Sequence, residues 1–375
     1  MTDTSFKIDS SRISILDILR GFALYGILLA HAATIYLLEL PIEGKDIQNE
    51  TDLIIKTVLN LFIERKFYLI FSFLFGLSFY IQFRNAEKRG HPFTIKFIWR
   101  LFILFVIGIL HHQFYPFDIL HIYAIMGLLL IPIRRLEKKY LLIVTVIIIS
   151  AATVFSEFGH QIKSSSSMTL MADLGFPQRI IHQLSSGHFL MILGLFYFGY
   201  WVGLTGIFDT NDIHPDLALK ITLFCTITLF LTVLIGSSIY NDITLGPLKS
   251  LSLSFCYIGI ICLLYAHGGK KKFIWIALEN LGRMGLTNYV LQTLFFFALF
   301  EFAYENIRNG QLLSIVLIAN LFYFIQIAFS IFWFKKFKFG PLEWLWRSTT
   351  NLYKTATPAN KGLRTIVEQD VPFHQ

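Results

Sequence analysis

Between residues 15 and 334 the chain returns again and again to apolar runs close to the length needed to cross a bilayer. A hydrocarbon core about 30 Å thick takes roughly 20 residues of helix. Such runs fall at about 15–38, 67–83, 94–112, 118–134, 139–156, 188–207, 216–238, 249–267, 283–303 and 312–334, with a shorter amphipathic stretch at 52–63. No alternating, barrel-like strand pattern accompanies them. These runs predict an all-α polytopic membrane protein with about ten transmembrane helices. A single integral-membrane domain is expected over 1–348 and a cytoplasmic tail over 349–375. Composition agrees: 15% of residues are charged, against about 25% in soluble domains. Cys225, Cys256 and Cys262 all lie inside apolar runs, so buried free thiols are expected rather than disulfides.

The distribution of positive charge sets the expected orientation. The N-terminus, 84–100, 134–139, 270–272 and the tail after Phe334 hold 21 of the 32 Lys and Arg residues. The positive-inside rule places both termini in the cytoplasm of a multi-pass protein of the cell (inner) membrane. The net charge of +8 resides in short loop clusters. This points to membrane lipids as partners and away from nucleic acid. The aromatic, basic stretch 335–347 reads as an interfacial anchor.

The first run, RISILDILRGFALYGILLAHAATIYLL over 12–38, carries Asp17, Arg20 and His31. Each charge deep in a bilayer costs roughly 2.5–3.5 kcal/mol on insertion scales, and such residues usually mark a site or a pathway. Asp17 stands three residues before Arg20, at pairing distance on a helix. Arg20 and His31 are eleven residues apart, about three turns, so they share a face roughly 16 Å apart along the axis. The plainer reading makes Arg20 a snorkelling residue with Asp17 as its surface partner and His31 an interhelical hydrogen-bonding group. A cleaved leader ending at Ala30-His31-Ala32 is a further reading, but Asp17 and Arg20 interrupt its apolar core.

Further polar residues fall where the other runs end. His111-His112 closes the third, and Asp118 and His121 open the fourth, at a depth His31 can approach. Asp118 sits where a helix start favours an anion; it also reads as an ordinary N-cap with interfacial histidines around it. His-His followed six residues later by Asp matches no recognised ligand spacing, and no metal is expected. Arg283 enters the ninth run from the cytoplasmic side, followed by Asn288, Tyr289 and Gln292. Asn288 and Gln292 share a face and also read as interhelical glue. The long segment 157–187, with its Ser164–Ser167 run, is expected to be extracytoplasmic, as a cover over an entrance or as a tether.

The stretches LDILRGFALYGILLAH (16–31), FYLIFSFLFGLSFYIQFRNAEKRG (67–90), DILHIYAIMGLLL (118–130), GRMGLTNYVLQ (282–292) and FGPLEWLWRS (339–348) carry a family resemblance. The chain resembles the YeiB-like family of bacterial membrane proteins, whose domain has no assigned function. That family sits in the transmembrane acyltransferase superfamily with bacterial sugar O-acyltransferases and the lysosomal heparan glucosaminide N-acetyltransferase. Membrane O-acyltransferases of that superfamily use an Arg, ten residues, then a His on the first helix. Arg20 and His31 match that spacing, although many YeiB-like chains end the run with Asn. The resemblance implies acyl transfer from cytoplasmic acyl-CoA to an acceptor, a glycan, lipid or small molecule, at or beyond the membrane.

Acyl transfer needs a base and a stabilised oxyanion. His31 is the candidate base, or alternatively an acylated relay. Arg20 and Arg283 are candidates for the donor's phosphates. Asp118 is expected to orient His31 or His111, with Asp17, Asn288, Tyr289 and Gln292 as supporting polar groups. The competing class is a transporter or permease without chemistry, in which the same charged residues line a path.

Overall fold

The computed structural model describes residues 13–38, 50–90, 93–115, 118–158, 186–208, 214–238, 245–269, 272–308 and 311–356. In order, the helices are α1 (Ser14–Leu38), α2 (Glu50–Phe62), α3 (Lys66–Lys88), α4 (Phe93–His112), α5 (Leu120–Leu128), α6 (Leu130–Ile133) and α7 (Lys138–Glu157). They continue as α8 (His188–Thr205), α9 (Pro215–Ser238), α10 (Gly246–His267), α11 (Phe273–Arg283), α12 (Gly285–Arg308), α13 (Leu312–Phe334) and α14 (Pro341–Ala356). Among the described residues nine helical segments are long and apolar enough to cross a membrane, with α2 and α3 counted as one. The chain is a multi-pass, all-α membrane protein. Most of the 157–187 segment, residues 39–49 and the tail beyond Ala356 lie outside the described residues.

One expected span is broken, and another starts two residues later than expected. The run 118–134 forms α5 and α6 with Leu129 between them. Pro132 explains the break: it has no N–H to give Leu128, and its ring crowds that carbonyl. The run from 283 is preceded by a separate helix, α11, and Met284 (φ -102, ψ 34) separates α11 from α12. The start of α12 is held by Glu343 of α14. Its carboxylate accepts from Leu286 N–H at 2.8 Å, Thr287 N–H at 3.1 Å and the Thr287 hydroxyl at 2.6 Å. A carboxylate on free amides at a helix start contributes about 0.5–2 kcal/mol. Two stretches named above, 282–292 and 339–348, thus meet at one cap. α14 also leaves Trp344 exposed and packs on α4, where Trp99 donates to Thr349 O at 3.2 Å.

α1 is the hub. It packs on α3, α11, α12 and α13, and Ile15, Ile18, Leu19, Ala23, Leu24 and Leu28 are fully buried. Close approach is made by glycine. A side chain at Gly21 would strike the Leu278 backbone, and one at Gly282 would strike the Asp17 backbone. α3 and α8 meet the same way, with Gly76 on the Phe196 backbone and Gly199 on the Phe73 backbone. In lipid, where apolar surface alone gives little drive to associate, such small-residue contacts are what let helices pack. The outer faces are apolar instead: Phe102, Ile147, Phe224, Phe230, Leu321 and Phe324 are exposed, as a bilayer requires.

Gly282→Ala is therefore expected to destabilise the protein by about 1–3 kcal/mol through overpacking. Gly285→Ala is the control, because nothing lies within 4 Å of an added Cβ there. Thermal unfolding in detergent should show a fall for the first variant and none for the second. Equal midpoints would remove the tight α1–α11 crossing from the account.

Candidate active site

α1, α12 and the turn between α4 and α5 bring a polar cluster together inside the bundle. Gly108 makes this turn close: a Cβ there would meet the backbone of Leu120 and His121, so α4 and α5 lie against each other. His111, at the end of α4, and Asp118, just before α5, are both buried. Asp118 accepts four hydrogen bonds. Oδ1 takes His111 Nδ1 at 2.8 Å and the Tyr289 hydroxyl at 3.0 Å. Oδ2 takes Leu120 N–H at 3.0 Å and His121 Nδ1 at 3.2 Å. An ionised carboxylate offers about four lone-pair positions, so this one is fully used.

That arrangement dictates the tautomer. His111 Nδ1 must carry the proton it gives Asp118, so in the neutral ring Nε2 holds the lone pair. His111 Nε2 is buried and has no hydrogen-bond partner among the described residues. His31, 6% exposed, comes from α1. Its ring lies 4.3 Å from that of Tyr115 and 5.4 Å from that of Tyr289, while His111 lies 5.1 Å from Tyr289 on its own account. His31 Nδ1 is likewise buried without a hydrogen-bond partner among the described residues. Two unpartnered imidazole nitrogens thus flank one tyrosine, and one imidazole is aimed by a carboxylate. A carboxylate that fixes an imidazole's tautomer so that Nε2 can accept a proton is the base half of an acyl-transfer triad.

The structure unites His31, His111, Asp118 and Tyr289 and leaves the other candidates elsewhere. Arg20 donates to Asp17 and, from its other terminal nitrogen, to Ser78 Oγ at 2.5 Å, tying α1 to α3. Its side chain keeps 28% exposure, whereas Asp17 is buried. Arg283 lies 3.9 Å over the Phe334 ring and donates to Asn280 Oδ1 at 3.3 Å. Asn288 donates to Leu281 O and Ser330 Oγ, both at 3.1 Å. Gln292 donates to Leu24 O at 3.2 Å and Gln326 Oε1 at 3.1 Å, and Gln326 donates to Asn288 O at 2.9 Å. This pair binds α1, α12 and α13 together. Among the described residues no three His, Cys, Asp or Glu side chains group as ligands for a metal ion.

Several partners escape a reading of the sequence. Tyr115 packs at a tilt against His31, and nothing in the sequence pairs the two. Gln326 and Ser330, four apart on α13, are the signal that would have located the partners of Asn288 and Gln292. Glu343, the cap of α12, reads only as part of an interfacial stretch.

A membrane-embedded helical bundle with a buried His–Asp–Tyr cluster on its first, fourth and twelfth helices and the α4–α5 turn is the class of protein this structure defines. Residues 12–208 match the family model described as "Heparan-alpha-glucosaminide N-acetyltransferase, catalytic", and 202–353 match "Protein of unknown function (DUF418)". The chain belongs to the YeiB-like family of bacterial membrane proteins, and its N-terminal half is acyltransferase-like. It is 30% identical over 350 residues to an uncharacterized 39.9 kDa protein in the amylase 3' region of Bacillus acidopullulyticus, covering 90% of this chain and 94% of that protein. It is 27% identical over 397 residues to the uncharacterized protein YxaH of Bacillus subtilis (strain 168), covering 94% and 97%. Against the uncharacterized protein YeiB of Escherichia coli (strain K12) the match is 36% over 115 residues, 30% of this chain and 29% of that protein. No solved structure matches. His31, His111 and Asp118 fall in the first matched region and Tyr289 in the second.

Proposed function

We propose that the protein is a membrane acyltransferase that moves an acyl group from cytoplasmic acyl-CoA to an acceptor hydroxyl or amine at or across the membrane. The observation that carries this reading is the Asp118–His111 pair, with His111 Nε2 open beside the unpartnered His31 Nδ1. The match of residues 12–208 to an acetyltransferase catalytic model supports it.

In this reading His31 is the acyl relay. Its lone-pair nitrogen attacks the thioester carbonyl; the C–N bond forms, the C–S bond breaks, and the proton from the other ring nitrogen leaves with the thiolate as free CoA thiol. The acceptor then attacks the acyl-imidazole. The new C–O or C–N bond forms as the bond to His31 breaks, and the acceptor's proton passes to His111 Nε2 and from there restores neutral His31. Asp118 holds His111 in the receiving tautomer and stabilises the imidazolium. The Tyr289 hydroxyl, donating to Asp118, helps fix that carboxylate. Arg20, partly exposed and about 16 Å along α1 from His31, is the phosphate-facing group for the donor, with Arg283 beside the same end. Both termini in the cytoplasm of the inner membrane, as the positive charges favour, would place these arginines on the donor's side.

The test is thiol release from acetyl-CoA by purified protein in detergent, with a membrane extract as acceptor. Release above the blank is expected. Arg20→Lys should raise the donor concentration needed for half-maximal rate by about tenfold or more, because a point charge cannot replace the bidentate fork. No thiol release, together with solute uptake in proteoliposomes, would establish transport instead. An unchanged donor requirement in Arg20→Lys would remove Arg20 from the donor site.

A further inference from the structure

Threonines inside these helices tend to give their hydroxyl back to the helix. Thr145, Thr153, Thr222, Thr226 and Thr228 each donate to the carbonyl four residues earlier, at 2.7–2.9 Å. That bond selects one of the two rotamers a helical threonine can take. Thr293, in α12, does otherwise. It is fully buried, and its hydroxyl has no hydrogen-bond partner among the described residues. A hydroxyl so buried is ordinarily satisfied, and leaving it alone costs stability.

Helical register fixes what Thr293 faces. Positions four apart on a helix differ by about 40° in direction and about 6 Å in height, so Tyr289, Thr293 and Phe297 form one stripe. Both ends of the stripe meet the α4–α5 turn. The Tyr289 hydroxyl bonds Asp118, and its ring lies 5.1 Å from that of His111 and 5.4 Å from that of His31. The Phe297 ring lies 5.2 Å from that of Phe114. Tyr115, next in the turn, packs on His31 at 4.3 Å and shares a hydrogen bond with Thr34, one turn further along α1. Thr293 is thus bracketed by the residues that enclose His31. Gln292 points about 100° away from it, to Leu24 and Gln326, and belongs to the stripe that binds α1 to α13.

Acyl transfer through His31 charges one oxygen twice. As the C–N bond to His31 forms, the C=O electron pair moves onto oxygen, and it returns as the C–S bond breaks. The same shift recurs when the acceptor adds and the bond to His31 breaks. A donor already in place at that oxygen is usually the largest single contribution to such a reaction. His31 and His111 are occupied as relay and base, and the Tyr289 proton is committed to Asp118. The Thr293 O–H is uncommitted. We propose that the Thr293 hydroxyl is the oxyanion donor of the acyl site, a catalytic residue that rests on the acyl-transfer reading above.

The experiment compares full-length wild type with Thr293→Val, which keeps the shape and loses the hydroxyl, and Thr293→Ser, which keeps the hydroxyl. Thiol release from acetyl-CoA in detergent, with a membrane extract as acceptor, gives kcat and KM. Thermal unfolding of the same preparations gives the midpoint. Thr293→Val should lose about 10²–10³-fold in kcat, with the KM for acetyl-CoA changed by less than about twofold. Thr293→Ser should keep kcat within about tenfold of wild type. The Thr293→Val midpoint should equal or exceed that of wild type, because an unsatisfied hydroxyl has been removed. Wild-type turnover in Thr293→Val, or an equal loss in both variants, overturns the oxyanion role and leaves the acyl-transfer reading standing. A lower midpoint in Thr293→Val, restored in Thr293→Ser, shows a structural bond and overturns the role as well. No thiol release from wild type defeats the acyl-transfer reading itself and takes this role with it.

Discussion

Asp118→Asn is expected to lower acyl transfer by roughly 10²–10⁴-fold. The carboxylate accepts from His111, His121, Tyr289 and the Leu120 amide at once. An amide keeps one acceptor oxygen and replaces the other with an NH2 donor. Whichever way it is placed, one histidine loses its acceptor and faces a donor. If that ring is His111, its Nδ1 must become the lone-pair atom, and Nε2 then carries a proton and can no longer receive one. A buried donor facing a donor also costs about 1–3 kcal/mol of stability. Acyl transfer and thermal unfolding measured on the same preparation separate the two effects. A variant that folds and transfers at the wild-type rate would show that Asp118 is only a structural acceptor.

The second large effect concerns the two imidazoles that each keep one open ring nitrogen, and it divides their roles. His31→Gln is expected to abolish transfer, with a loss of roughly 10²–10⁴-fold or more, and to leave no labelled acyl group on the protein after incubation with radiolabelled acetyl-CoA. His111→Gln should also stop turnover, yet allow the first half-reaction, so label should accumulate on the chain. Label on both variants, or on neither with wild type also unlabelled, would sink the relay and leave His31 as a simple base. Full activity in His31→Gln at normal protein levels would take His31 out of the chemistry.

Much of this architecture is legible from the residues, for physical reasons that differ from place to place. The spans follow from run length against bilayer thickness, and the Asp17–Arg20 pair follows from helical spacing alone. The break at Leu129 is also written in the chain, since Pro132 forbids the bond to Leu128, but apolar continuity through 118–134 hides it. The cluster itself is a different case. Asp118 and Tyr289 stand 171 positions apart, and no periodicity relates them. Their meeting depends on how α12 settles against α1 and α5, which the Gln292, Gln326 and Tyr323 hydrogen bonds determine collectively. Glu343 illustrates the same limit: a glutamate beside two tryptophans reads as surface until α12 is seen to begin underneath it.

The central position of α1 has a consequence for how the chain is made. Its partners on α12 and α13 emerge from the ribosome long after it does, although α3 follows closely. Gln292, which bonds Leu24 O, follows 268 residues later, and Tyr323, which bonds Gly21 O, follows 302 residues later. At about 5–20 residues per second, α1 waits for tens of seconds with Asp17, Arg20 and His31 already in or beside the lipid. The Asp17–Arg20 pair closes within one turn and neutralises itself immediately; His31 has no such local companion on its helix. Enclosure of the nascent helix on its α12 and α13 side is therefore completed only when the last third of the polypeptide arrives.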